Sequence, residues 1–182
     1  LPMIRASLFS LLVGVAGAAL LHVIIVLALP AFTGIDAYTK LTNYDADQRF
    51  VRFGAEPDAQ GFSNGDPFLR TAACLVSVAE RPVRLAAPGG PVFWSFAVYD
   101  SDSNEIFSMN DRSQAGGDLD AILGSPEQLA RIRRDNPDAA SDNVLIEMPR
   151  PEGYVVIRAL APTPSREQAA RDFLDGASCE GA

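Results

Sequence analysis

The sequence predicts a mainly β protein: one N-terminal transmembrane α-helix followed by an antiparallel β-sandwich with two short helices. Three observations predict it. No charged side chain occurs between Ala6 and Pro30, and Leu8–Leu29 is almost wholly apolar. From Phe68 onward, short β-branched or aromatic segments recur between Pro, Gly, Asn and Asp with a period of two. Two Ser-led motifs, at Ser125 and Ser165, interrupt that pattern with helix starts.

The anchor comes first in the chain. About 22 apolar residues at ~1.5 Å each cover roughly 33 Å, enough to cross a hydrocarbon core. A soluble core helix carries a polar stripe, and this run has none. A secretory signal peptide is the competing reading, but its apolar stretch runs only about 7–15 residues before a small-x-small cleavage site. Here the stretch is longer and closes in Leu29-Pro30-Ala31-Phe32. We therefore expect a single-pass anchor over residues 1–30, embedded in the lipid bilayer. Arg5 is the only charged side chain ahead of it and Asp36 the first behind it. That asymmetry favours a cytoplasmic N-terminus at the inner membrane and a periplasmic C-terminal domain. Ser10, Gly14, Ala18 and His22 are spaced four apart and share one helix face, a small-xxx-small surface suited to close helix packing. His22 inside a span needs a reason. A hydrogen bond to a neighbouring helix, or a place near the bilayer interface, supplies one; axial ligation of haem iron or chlorophyll magnesium is the alternative. The chain has no second ligand or cofactor motif for such a site, so no cofactor is assigned.

Residues 31–66 read as an irregular connector. Ile35–Tyr44 suits a short helix, and Arg49–Phe53 alternates like a strand. Gly54, Pro57, Gly61, Asn64-Gly65 and Asp66-Pro67 are turn formers. The β domain, residues 67–182, holds expected strands at Phe68–Val78, Val83–Ala86, Val92–Tyr99, Glu105–Met109, Leu119–Leu123, Val144–Met148 and Tyr154–Leu160. In the third of these, Phe93, Ser95, Ala97 and Tyr99 take one face and Trp94, Phe96 and Val98 the other. Both faces are largely apolar, as in a central strand covered on both sides. Ser125-Pro126-Glu127-Gln128 is a capping box with proline at the first helical position. Ser165-Arg166-Glu167-Gln168 repeats the device ahead of the stripe Ala169, Ala170, Phe173 and Leu174, and Gly176 ends that helix.

Charge and ligand counts then bound the chemistry. The 182 residues carry 15 Lys+Arg against 23 Asp+Glu, a net charge of −8. A chain this acidic repels phosphate backbones, which excludes nucleic acid as a partner. One His and two Cys are too few for a zinc or iron–sulfur site, and they leave no imidazole for a Ser-His-Asp or Cys-His device. Cys74 and Cys179 suit a disulfide in an oxidising compartment, closing a loop of about 100 residues worth up to ~4–5 kcal/mol. Two separate thiols are the alternative. Asp100, Asp102 and Asn104, with Asp111 in the twelfth place, mimic a calcium loop. Glu105 stands where the sharp turn needs Gly, and the flanks are strands, so a polar hairpin loop accounts for these residues without a metal. Asn110, Asp111 and Arg112 form a candidate polar site, with Arg112 placed to grip a carboxylate; an internal Asp–Arg pair is the structural alternative. No catalytic residue emerges.

Three blocks carry a resemblance: Asp66-Pro67-Phe68-Leu69-Arg70-Thr71, Phe93-Trp94-Ser95-Phe96-Ala97-Val98-Tyr99-Asp100, and Ser108-Met109-Asn110-Asp111-Arg112. In them the chain resembles the bacterial predicted integral membrane proteins that carry domain of unknown function 1254. The likeness covers nearly the whole chain, both Cys included. The short form of that family has one N-terminal span containing a His, and a compact C-terminal domain ending near a Cys. Longer relatives, joined to domain of unknown function 1214, imply a sandwich of jelly-roll type. The family brings no established activity, so the resemblance implies no catalytic residues. The expected role is a non-catalytic accessory subunit, docked through Ser10, Gly14, Ala18 and His22 on an integral membrane protein complex. A photosynthetic or respiratory complex is the first candidate. The alternative is a periplasmic binding module that holds an envelope lipid or small ligand in the sandwich.

Overall fold

A computed structural model describes residues 2–32, 37–58, 61–63, 65–90, 93–113 and 117–182. Ile35, Asn64 and Val92, which the sequence reading placed in elements or turns, lie outside these residues. The chain divides into two compact units, Leu1–Ile35 and Asp36–Ala182.

The apolar run forms helix α1 (Pro2–Phe32). Its Met3–Leu29 stretch is long and apolar enough to cross a membrane, a property that a signal sequence shares. No residue of α1 belongs to either buried cluster; both are built from Ala37 onward, so the second unit has cores of its own.

That unit is mainly β. Its strands are β1 (Val51–Arg52), β2 (Leu69–Ser77), β3 (Val83–Ala87), β4 (Trp94–Asp100), β5 (Glu105–Asn110), β6 (Leu119–Gly124), β7 (Val144–Glu147), β8 (Glu152–Leu160) and β9 (Ser178–Gly181). They make a five-stranded sheet in the order β1-β2-β8-β4-β5 and a four-stranded sheet in the order β7-β6-β3-β9. β2 to β8 fall within two residues of the expected segments. The antiparallel expectation needs one correction: β6 pairs β7 in parallel, from Ala121↔Val144 to Gly124↔Glu147. Parallel neighbours need a long crossover. Here it is helical, formed by α3 (Pro126–Asp135) and α4 (Pro137–Asp142).

The helices also exceed the two expected. α2 (Ala37–Leu41) runs into a 3-10 turn at Thr42–Tyr44, and α5 (Pro164–Asp175) precedes β9. α3, α4 and α5 all begin on proline, whose missing N–H has no partner to lose in a first turn. Asn136-Pro137 thus ends one helix and starts another. At α3 the capping box forms: Ser125 Oγ accepts from Gln128 N (3.3 Å), and Gln128 Oε1 accepts from Ser125 N (2.8 Å). The box expected on Ser165 does not form. Thr163 is the N-cap there, Pro164 takes the first helical position, and Ser165 Oγ pairs instead with Thr163 Oγ1 at 2.9 Å.

One large buried cluster draws on both sheets. Trp94, Phe96 and Val98 of β4 and Val155, Ile157 and Ala159 of β8 share it with Leu85, Leu119 and Leu123; α5 adds Ala170, Phe173 and Leu174. Cys74 in β2 and Cys179 in β9 are disulfide-bonded, so the bridge joins one sheet to the other. α5 is further tied to β2 by Arg70, whose Nε donates to Glu167 Oε1 at 2.9 Å and whose Nη2 lies 2.7 Å from Oε2. The Arg70 hydrogen bond holds the Glu167 carboxyl below its usual range against the opposing effect of burial, with Arg171 assisting. A lowered folded-state pKa contributes stability above the unfolded value, about 4.3, and loses it as pH falls through the lowered value. Stability is therefore expected to fall more steeply below about pH 4 in the native protein than in Glu167→Gln, as read from urea midpoints across an acid series.

Candidate functional site

Strand β8 has two different faces. Val155, Ile157 and Ala159 point into the core shared by the sheets, so period-two alternation turns Tyr154, Val156 and Arg158 to the other side of the five-stranded sheet. The segment read as a connector packs on that side. Leu41 and Phe53, 0% and 5% exposed, join Ala73 and Tyr154 in a second buried cluster. Backbone bonds hold the segment to β2: Leu75 N donates to Ala46 O (2.8 Å), Gln48 N to Leu75 O (3.1 Å) and Phe53 N to Thr71 O (2.9 Å). Tyr38 Oη donates to Glu152 Oε2 at 3.1 Å.

Aromatic rings line this contact on both sides. Phe53 and Phe62 stack at 4.8 Å between centroids, with Tyr44 edge-on to them at 5.5 and 5.6 Å. On the sheet, Tyr99 stacks on Tyr154 at 4.9 Å. Two aspartates shape the surrounding turns. Asp58 accepts from Phe62 N (2.9 Å) and Ser63 N (3.3 Å), while Asp66 Oδ1 accepts from Phe68 N (2.7 Å) and Leu69 N (3.1 Å). Gly61, at φ +79°, lets the first loop close in a left-handed conformation that side chains disfavour.

Between the segment and the sheet lies a cavity of about 350 Å³, lined by Phe53, Phe62, Tyr99, Tyr154, Val156 and Arg158 among others. A second recess of about 360 Å³ lies on the β4–β5 side and includes Ser95, Ser108 and Asn110; Tyr99 and Arg158 line both. Volumes of this order sit at the lower end of small-molecule sites. The strand register places Thr71, Arg158, Ser95 and Asn110 in one row across four strands. Residues so paired share a sheet face. Arg158 is half-buried, and among the described residues its guanidinium has no carboxylate within 4.0 Å and no side-chain hydrogen bond. The acids lining the two recesses are engaged elsewhere: Asp66 with the Phe68 and Leu69 amides, and Glu105 with Ser108 Oγ at 2.7 Å.

The residues singled out from sequence lie in several places. Ser10, Gly14, Ala18 and His22 are all exposed on α1. Asn110 ends β5 and lines the second recess, whereas Asp111 and Arg112 do not. Asp111 Oδ1 is buried without a hydrogen-bond partner, and no ion pair joins it to the exposed Arg112, so the Asp–Arg pair is not made. Burial of Asp100 opposes its ionisation. Hydrogen bonds from the Asn104 side chain and from the amides of Asn104 and Asp102 outweigh that burial and, with Arg150 nearby, hold its carboxyl below the ordinary range. Arg150 Nη2 lies 2.5 Å from Asp102. Asp100, Asp102 and Asn104 thus close the β4–β5 hairpin, where Ser103 adopts φ +64°. Among the described residues no three His, Cys, Asp or Glu side chains gather as metal ligands.

Sequence reasoning missed Arg158 and its aromatic neighbours. The available signal was a lone charge in an otherwise apolar strand, Tyr154-Val155-Val156-Ile157-Arg158-Ala159-Leu160, on the same side as Tyr154 and Val156.

No protein-family model matches the chain, and no curated protein does. Among solved structures, the VPA0106 protein from Vibrio parahaemolyticus is similar, with TM-score 0.58 and 13% identity over 81% of this chain and 35% of its own. An uncharacterized protein from Burkholderia cenocepacia aligns at TM-score 0.45 and 13% identity, over 80% of this chain and 38% of its own. The first likeness concerns the fold alone. The chain spans little more than a third of the length of either protein.

Proposed function

We propose that this chain is a membrane-anchored, non-catalytic binding protein whose β domain holds a small ligand with an apolar body in the cleft over the five-stranded sheet. The construction of that cleft carries the reading: Phe53 and Phe62 from the covering segment, and Tyr99 and Tyr154 from the sheet, border a volume that no side chain of the described residues fills. Concave, ring-lined spaces with a few polar groups are the usual form of small-molecule sites. The ligand position differs from the sequence expectation, since the cleft lies outside the core shared by the two sheets. In this reading α1 is a single-pass inner-membrane anchor with its N-terminus in the cytoplasm and the domain in the periplasm, supported by Arg5 and by the disulfide. The two sheets, with one core and one bridge between them, are read as a sandwich of jelly-roll type. That agrees with the resemblance to proteins carrying domain of unknown function 1254. The accessory-subunit reading takes second place, because it rests on the Ser10, Gly14, Ala18 and His22 stripe alone.

The segment 33–182 contains both cores and the disulfide, so it serves as the test protein. Calorimetry is expected to show 1-octanol binding at one site. Val156→Trp, which fills the floor of the cavity, is expected to abolish that binding while leaving the circular dichroism spectrum unchanged. Equal binding by both proteins contradicts the cleft as the site.

A further inference from the structure

We infer that the ligand is an organic monocarboxylate with an apolar body, and that Arg158 binds its carboxylate where the two recesses meet. This rests on the cleft being the binding site. Acids outnumber bases 23 to 15 in this chain, so a shortage of acids does not explain why Arg158 has no ion pair among the described residues. Several arginines of the domain have one, among them Arg52 with Asp175, Arg70 with Glu167 and Arg84 with Asp120. Arg81, Arg112 and Arg131, which have no ion pair among the described residues, are exposed, whereas Arg158 is half-buried. Arg158 also lines both recesses, so an anionic ligand there supplies the counter-charge that the described residues do not.

The surroundings define the anion. Thr71 and Ser95 pair with Arg158 on the adjacent strands, so a hydroxyl-bearing residue stands on either side of it on the same sheet face. The planar N–H fork of arginine matches the two oxygens of a carboxylate. Asp66 and Glu105, the acids lining these recesses, are occupied by amides and a hydroxyl and do not compete for Arg158. Among the described residues that line the two recesses Arg158 is the one cation, which suits a single negative charge better than two. From Arg158 the body of the ligand extends along Tyr99 and Tyr154 toward Phe53 and Phe62.

The test is calorimetric titration of the 33–182 segment, native and Arg158→Gln, with octanoate, 3-phenylpropanoate and the neutral isostere 1-octanol. The native protein is expected to bind at least one carboxylate. Arg158→Gln is expected to weaken that binding roughly 10- to 100-fold, the loss of a charged hydrogen-bonded contact, without changing 1-octanol binding. Arg158→Lys, which keeps the charge and loses the fork, is expected to fall between. In the native protein alone, added salt is expected to weaken the carboxylate and spare the alcohol, a readout that survives if the Gln variant does not fold. If alcohol and carboxylate bind equally, and neither salt nor Arg158→Gln separates them, the cleft stands as a site and the anion assignment falls. If none of the three probes binds the native protein, the cleft reading itself falls.

Discussion

Replacing Cys74 and Cys179 together by alanine is expected to lower the unfolding free energy of the 33–182 segment by about 4–5 kcal/mol. The two residues are 105 apart in sequence, so the bridge removes a large closed loop from the freedom of the unfolded chain. In the folded state it fastens β9, the last strand, to β2 in the opposite sheet. Without it β9 is held mainly by its pairing with β3, from Val83↔Gly181 to Ala86↔Ser178, and by the end of α5. Both cysteines are 1% exposed or less, so alanine leaves a small cavity and no exposed polar group. Domains commonly have about 5–15 kcal/mol in total, so the double variant loses a large share of its stability. Urea unfolding of the native and variant segments measures the difference, and a reductant should bring the native midpoint toward that of the variant. Coincident midpoints in all three samples contradict the bridge as a stabilising element.

Trp94→Ala is expected to cost about 3–5 kcal/mol, the usual range for emptying a buried aromatic site. Trp94 is 1% exposed and lies between Phe96, at 6.4 Å between ring centroids, and Phe173, at 5.9 Å. It therefore links β4 to α5, and its Nε1 donates to Gly117 O at 3.0 Å. Trp94→Phe keeps much of the ring contact but removes that donor, and is expected to cost about 1–3 kcal/mol. Trp94 is the only tryptophan of the chain, so native fluorescence reports on this site; circular dichroism follows the variants. A loss under about 1 kcal/mol for Trp94→Ala contradicts the packing described, because truncation of a well-packed large residue does not cost so little.

Much of the fold is legible in the sequence because local patterns encode it. The charge-free run to Pro30 makes α1, period-two alternation locates β2 to β8, and Ser125 with Gln128 announces α3. Other features depend on contacts that no local pattern carries. The parallel pairing of β6 with β7 follows from where the α3–α4 crossover returns the chain. β9 has four residues, too few to display a period. Ser165-Arg166-Glu167-Gln168 matches a capping box, but Pro164 shifts the helix start to Thr163. The cleft is the least legible feature of all. It needs a turn-rich segment to pack on a sheet face, with Phe53 and Phe62 meeting side chains a hundred residues away. Arg158 looks like any other arginine until the register of four strands sets it beside Thr71 and Ser95, with no carboxylate of the described residues within 4.0 Å.

The proposed ligand site is the outer face of the five-stranded sheet under the covering segment. Backbone amide mapping by NMR, titrating octanoate into isotope-labelled 33–182, tests it most directly. Saturable shifts are expected, concentrated at Phe53, Phe62, Thr71, Tyr99 and Arg158. Shifts at Leu85 and Leu119, in the core between the sheets, or no saturable shift at all, would contradict it.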